Sequence, residues 1–186
     1  MKQMDAAQIV EQAKCLTDHA FDELNRKWEC LCCAMQDVKN AVSGIPSKIE
    51  CVPAEERFGK LCLELERLEI CKRRMDECFS AFLGGEFLIV DATMKLLSLE
   101  GALELSRQQD EAETAKAIAR LRLQVEEFKE TYAKKRTWAE QLIRRTIPHF
   151  LDEVYRVSDG EREGRGFRMQ SLAALCGGLC NEIKIP

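Results

Sequence analysis

The chain has 186 residues, of which 46% are apolar, 32% charged and only 6% aromatic. That is more charge than the ~25% of an average globular domain, yet too much apolar content for a disordered chain. Four prolines, ten glycines and few β-branched runs exclude an all-β fold. The formal net charge of −4 disfavours non-specific nucleic-acid binding, which needs a basic face. The first residues lack the apolar core of a signal peptide, and Ala81–Leu99 is interrupted by Glu86, Asp91 and Lys95. A soluble, intracellular protein with no membrane or direct nucleic-acid partner is therefore expected.

The first long pattern runs from about Asp5 to Ser43. Ile9, Ala13, Leu16, Ala20, Leu24, Trp28, Leu31, Met35, Val38 and Val42 recur at threes and fours, which puts them on one helix face. Gly44 and Pro46 are expected to stop it. A second helix is expected from Ala54, with Phe58, Leu61, Leu65, Leu68, Met75, Phe79 and Phe82 as its stripe and Gly84-Gly85 as its break. A third runs from Phe87 to about Leu105, with Phe87, Val90, Met94, Leu97 and Leu105 inward. FLIV could pass for a strand, but no second strand is available to pair with it.

Ser106–Glu113 is polar and reads as a turn or a weakly packed stretch. The fourth helix spans about Asp110 to Arg145 on Ala115, Ile118, Leu121, Val125, Phe128, Tyr132, Ala139 and Leu142, and Pro148 is expected to end it. A short helix over Phe150–Val157 follows. The expected organisation is a helical domain over 1–157, a charged glycine-rich linker over 158–166 and a short helical tail over 167–186 with Leu172, Leu175 and Leu179 on one side. The fold class expected is all-α: an elongated antiparallel bundle or coiled coil of three to four long helices.

Chemistry is sparse. There is no P-loop, GxSxG or HExxH. Cys15 and His19 share a helix face, but nothing beside them builds an oxyanion site. The ten cysteines include the cluster Cys30, Cys32 and Cys33, yet none of the paired spacings of structural zinc is present. They read as ordinary thiols, with a zinc or thiol enzyme as the remote alternative; neither catalytic residues, a metal nor a cofactor is expected. Lys134, Lys135, Arg136, Arg144 and Arg145 make a basic cluster that suits a helix C-terminus and could face an acidic partner.

Trp28 and Trp138 are the sharpest local features, because tryptophan is enriched at interface hot spots. Stripes this long call for a companion helix. The partner contacts expected, to another helical subunit, are drawn from Trp28, Leu31, Met35, Leu65, Leu68, Phe128, Tyr132, Lys135, Arg136 and Trp138, with some of these expected in the chain's own core.

Three blocks occur in order: Leu24-x-x-Lys27-Trp28-Glu29-x-Leu31; Glu55-Glu56 with Lys60-Leu61-Cys62-x-Glu64-Leu65; and Lys135-Arg136-Thr137-x-Ala139-x-x-Leu142 after Phe128. Together they resemble the cyclin-dependent kinase 2-interacting protein family. The resemblance implies a non-enzymatic nuclear adaptor, with a cytoplasmic pool as a further expectation. It implies links to replication, checkpoint signalling and cell-cycle kinases, and membership of an AAA-ATPase complex of ribosome biogenesis. With no Ser-Pro, Thr-Pro, Ser-Gln or Thr-Gln in the chain, a scaffold is favoured over a phosphorylation switch. The alternative is a coiled-coil subunit of a kinetochore, spindle or tethering complex.

Overall fold

The computed structural model describes residues 6–104, 111–162 and 168–185. The described chain is all-α: α1 (Ala6–Glu50), a 3-10 turn (Ala54–Glu56), α2 (Arg57–Gly84), α3 (Glu86–Glu104), α4 (Glu111–Gln141), a π-helical turn (Leu142–Thr146), α5 (Ile147–Arg162) and α6 (Met169–Glu182). FLIV is helical, inside α3. No helix among the described residues is long and apolar enough to cross a membrane.

Both expected proline stops are overridden. Pro46 lies inside α1, which continues to Glu50. The missing N–H and the ring clash cost ~3 kcal/mol. Ile45 and Ile49, both fully buried, carry the stripe on from Val38 and Val42. Each isoleucine returns ~1.5–3 kcal/mol, so together they outweigh the proline. The real stop is Pro53, in extended backbone (φ −54°, ψ 151°) at the head of the 3-10 turn, since a residue before proline is steered out of the helical region.

Pro148 likewise does not end its helix; it sits in the first turn of α5. The preceding π-turn is the reason. The Ile147 N–H reaches back to the Leu142 carbonyl, five residues away. The extra residue lets the consecutive Leu142 and Ile143 both face inward (3% and 5% exposed) and re-phases the helix onto Ile147, Phe150 and Val154. α5 also extends through Ser158–Arg162, where a linker was expected. Residues 163–166 of that linker, and Leu105 to Asp110, lie outside the described residues.

The described residues divide into two units. The first gathers those of Met1–Trp28 and Ala81–Arg136. Here α1 and α4 run parallel: the Phe21 and Phe128 rings stack at 4.2 Å, and Lys135 lies over Trp28. α3 runs antiparallel to α4, as the ion pairs Arg136–Glu86 (2.7 Å) and Arg122–Glu100 (2.6 Å) show. Gly85 carries the tight turn between α2 and α3, and its carbonyl accepts from the Leu88 N–H at 3.0 Å.

The second unit gathers the described residues of Glu29–Ser80 and Thr137–Pro186. α1 and α2 pack antiparallel, pinned by Asp37–Arg74 (2.9 Å) and Lys48–Glu64 (2.7 Å). α5 meets α2 where the Tyr155 hydroxyl donates to Glu69 at 3.2 Å. α6 buries Leu172, Cys176 and Leu179, with Leu175 half-buried. Lys39 of α1 donates to the Ile183 carbonyl just beyond α6, at 3.1 Å.

Candidate functional site

Six of the ten expected partner contacts belong to the chain's own core: Trp28 (6% exposed), Leu31, Met35, Leu65, Leu68 and Tyr132. In the first unit the aromatic group is continuous. The Trp28 and Phe82 rings are 5.2 Å apart and tilted by 51°, and Phe82 and Tyr132 are 4.7 Å apart. Such tilted pairs contribute ~0.5–1.5 kcal/mol beyond area burial. The Tyr132 hydroxyl donates at 3.0 Å to the Phe82 carbonyl near the end of α2, which the Gly85 N–H also uses. Burial, then the Glu86 carboxylate, push its phenol up, so it stays a neutral donor. The space left among these rings is about 10 Å³, too small for a ligand.

The other four are half-buried. Phe128 stacks on Phe21, Lys135 places its ammonium 5.0 Å from the Trp28 ring centre, and Arg136 pairs with Glu86. Trp138 lines a cleft of about 240 Å³ together with Leu142, Asn181 and Lys184. Arg144 pairs with Glu140 at 2.9 Å. The basic cluster therefore spends three of its cations within the chain. The continuous helix past Gln141 also removes the C-terminus they were expected to complement.

Cys30, Cys32 and Cys33 leave α1 in different directions, as 100° per residue requires. Cys30 meets Cys78 of α2, with the sulfurs 3.2 Å apart. Among the described residues no three His, Cys, Asp or Glu side chains assemble in a way that could hold a metal. Cys15 and His19 are both exposed.

The largest departure from expectation is on α3. Phe87, Val90, Met94 and Leu97 face outward (69%, 53%, 62% and 42% exposed), whereas Ile89, Ala92 and Leu96 are buried. The outward residues step by three, four and three, the spacing of a coiled-coil seam. The positions flanking such a seam are Glu86, Asp91, Thr93, Ser98 and Glu100. Each acid is held by a cation of its own chain: Glu86 by Arg136, Asp91 by Lys95 at 2.5 Å and Glu100 by Arg122. The result is a greasy ridge with fixed carboxylates at its edges. The pattern is visible in the sequence as a second apolar stripe beside 89, 92 and 96; what decides between the stripes is how closely the neighbouring helices approach.

No protein-family model, curated protein or solved structure matches this chain.

A separate groove of about 580 Å³ lies between α5 and α6, lined by Phe150, Val157 and Leu179 together with His149, Glu153 and Glu182. It has the size of a small-molecule site, but these polar groups carry no nucleophile-base pairing among the described contacts.

Proposed function

We propose that the chain is a non-enzymatic helical adaptor that takes an amphipathic helix of another protein along the outer face of α3. The observation that carries this is the ridge Phe87, Val90, Met94 and Leu97, four large apolar side chains left in water at seam spacing. Isolated exposed apolar residues are ordinary, whereas a contiguous ridge marks an interaction site.

The flanking charge selects the occupant. A second copy laid antiparallel would set Asp91 against its own mate and Glu86 against Glu100. A parallel copy would set Glu86 against Asp91. Each acid is paired within the chain, but partly exposed pairs of this kind are worth only ~0–1 kcal/mol, so like charges brought opposite still oppose pairing, while a closer Lys or Arg would favour it. The partner is therefore a helix with an apolar stripe edged by basic residues.

The setting proposed with it is the one the family resemblance implies: a nuclear assembly that includes an AAA-ATPase of replication or ribosome assembly.

Two synthetic helices with one apolar seam, edged by Lys in one and Glu in the other, test the surface by fluorescence anisotropy at low salt. The Lys-edged peptide is expected to bind at least ~10-fold tighter, a difference of ~1.4 kcal/mol. Phe87→Glu with Met94→Glu should abolish that binding and leave the melting temperature unchanged. Equal binding of the two peptides, or a wild-type dimer that the double variant dissolves, overturns the assignment. Cross-linking in nuclear extract then tests the setting. AAA-ATPase peptides captured by wild type and lost with the double variant would support it, and kinetochore, spindle or tethering peptides would replace it.

A further inference from the structure

Cys30 of α1 and Cys78 of α2 face one another across the antiparallel seam of the second unit, sulfur to sulfur at 3.2 Å. This separation is inside the usual contact distance of two non-bonded sulfurs, and a bond would need them to close to ~2.05 Å. The juxtaposition is set by the helix register rather than by the thiols. Asp37–Arg74 and Lys48–Glu64 pin the same two helices further along, and Leu31 and Phe79, each next in sequence to one of the cysteines, are buried, as is Met75. Neither helix needs to slide for the sulfurs to meet.

The two thiols differ in access. Cys30 is exposed and Cys78 is half-buried. Burial, followed by the Cys30 sulfur beside it, pushes the Cys78 thiol up to about 11, so Cys78 keeps its proton while Cys30 is the sulfur an oxidant reaches. By contrast, burial pushes Cys176 up to about 12 with no exposed face, the pattern of an inert structural thiol.

We infer that Cys30 and Cys78 form a reversible redox site, oxidised by a peroxide to a disulfide that staples α1 to α2 and reopened by a thiol reductant. In the first step Cys30 gives up its proton to water, and its thiolate attacks one peroxide oxygen. The O–O bond breaks and the departing hydroxide takes that proton to leave as water, giving a sulfenic acid at Cys30. In the second step Cys78 attacks the Cys30 sulfur. The S–S bond forms, the S–O bond breaks, and the hydroxide leaves with the Cys78 proton as a second water. Two electrons pass from the sulfur pair to hydrogen peroxide, and the products are one disulfide and two waters. A dithiol reductant returns both electrons by exchange through a mixed disulfide.

The test uses the reduced, folded full chain exposed to equimolar hydrogen peroxide, then alkylated and digested with trypsin without reduction. The expected product is a cross-link between Trp28–Lys39, which carries Cys30, and Met75–Lys95, which carries Cys78. The first peptide also contains Cys32 and Cys33, so a Cys32→Ser, Cys33→Ser variant is run beside wild type. It should keep the cross-link and its reversal by dithiothreitol. Cys30→Ser, at an exposed position, should retain the circular-dichroism spectrum and melting temperature of the reduced wild type while losing the cross-link. A Cys78 that stays fully alkylatable in peroxide-treated folded protein overturns the inference, as does a link that runs to Cys32 or Cys33. So does a link that appears only in urea.

Discussion

Gly84 and Gly85 are adjacent, and neither has a positive φ, yet they should respond in opposite directions to the same methyl group. A Cβ on Gly85 would lie 2.3 Å from Leu24 Cδ2 and 3.0 Å from the Phe82 carbonyl oxygen, whereas a Cβ on Gly84 meets nothing within 4 Å. Leu24 is 1% exposed, so its methyl has no solvent to swing into. Overpacking of this kind costs ~1–3 kcal/mol, against ~0.4–1 kcal/mol gained by stiffening the unfolded chain. Gly85→Ala is thus expected to lose about 1–2 kcal/mol, or roughly 2–8 °C in melting temperature for a chain of this size. Gly84→Ala, on the exposed end of α2, is expected to gain ~0.5–1 kcal/mol. Thermal and urea denaturation by circular dichroism reads both. A double-mutant cycle sharpens the comparison: in a Leu24→Ala background the Gly85→Ala loss should shrink, because the new methyl enters the space the leucine leaves and only the close Phe82 carbonyl remains against it. If the two alanine variants melt together, the close approach of α1 to the α2–α3 turn is not what requires glycine.

Glu64 has a side chain only 2% exposed, among Lys48, Lys60 and Arg67. Burial alone would raise its carboxyl, but the hydrogen bonds and charge of those cations outweigh it and hold the group below its ordinary 4.5. A lowered folded pKa gives stability that is complete above the unfolded value and is lost as pH falls through the folded one. Urea unfolding free energy should therefore drop on acidification below pH 4.5, and Glu64→Gln should flatten that limb while costing ~1–3 kcal/mol at neutral pH. The cost stays below that of a fully buried pair because Lys48 and Arg67 reach solvent once released. Trp28→Ala should cost ~3–5 kcal/mol in urea denaturation, since it empties the space beside Phe82 and frees Lys135. Retained stability would show that the indole is not core.

The helices themselves were legible wherever one stripe dominated. In α1 the run from Ala13 to Val42 is buried as the threes and fours require, with Leu16 alone half-buried, and α2 follows Leu61, Leu65, Leu68, Met75, Phe79 and Phe82 in the same way. The prolines misled because a local rule met a larger tertiary term. Pro46 is a helix breaker in isolation, and the buried isoleucines on either side of it, Ile45 and Ile49, reverse the sign. The π-turn before Pro148 left one trace in the sequence, the pair Leu142-Ile143, which a regular helix cannot bury on one narrow face. Cys30 and Cys78 gave no trace at all, since their meeting depends on the register of two helices joined by the bend at Pro53.

The α3 ridge shows most clearly why apolar size is an unreliable guide to the inside. Period and hydrophobicity favour Phe87, Val90, Met94 and Leu97, the bulkier of the two stripes on that helix. The buried stripe instead opens on Gly85 and passes through Ile89, Ala92 and Leu96, with small residues at alternate steps. Close approach explains where that stripe opens: at Gly85 the Leu24 methyl already occupies the place of a Cβ, so no larger residue fits where α1 meets the α2–α3 turn. A protein that needed only a three-helix core would have no reason to put a phenylalanine, a valine, a methionine and a leucine in register on the wet side of α3, where each risks non-specific association. Their shared spacing, with carboxylates fixed on both margins, is the arrangement a fourth helix of basic edge would complete.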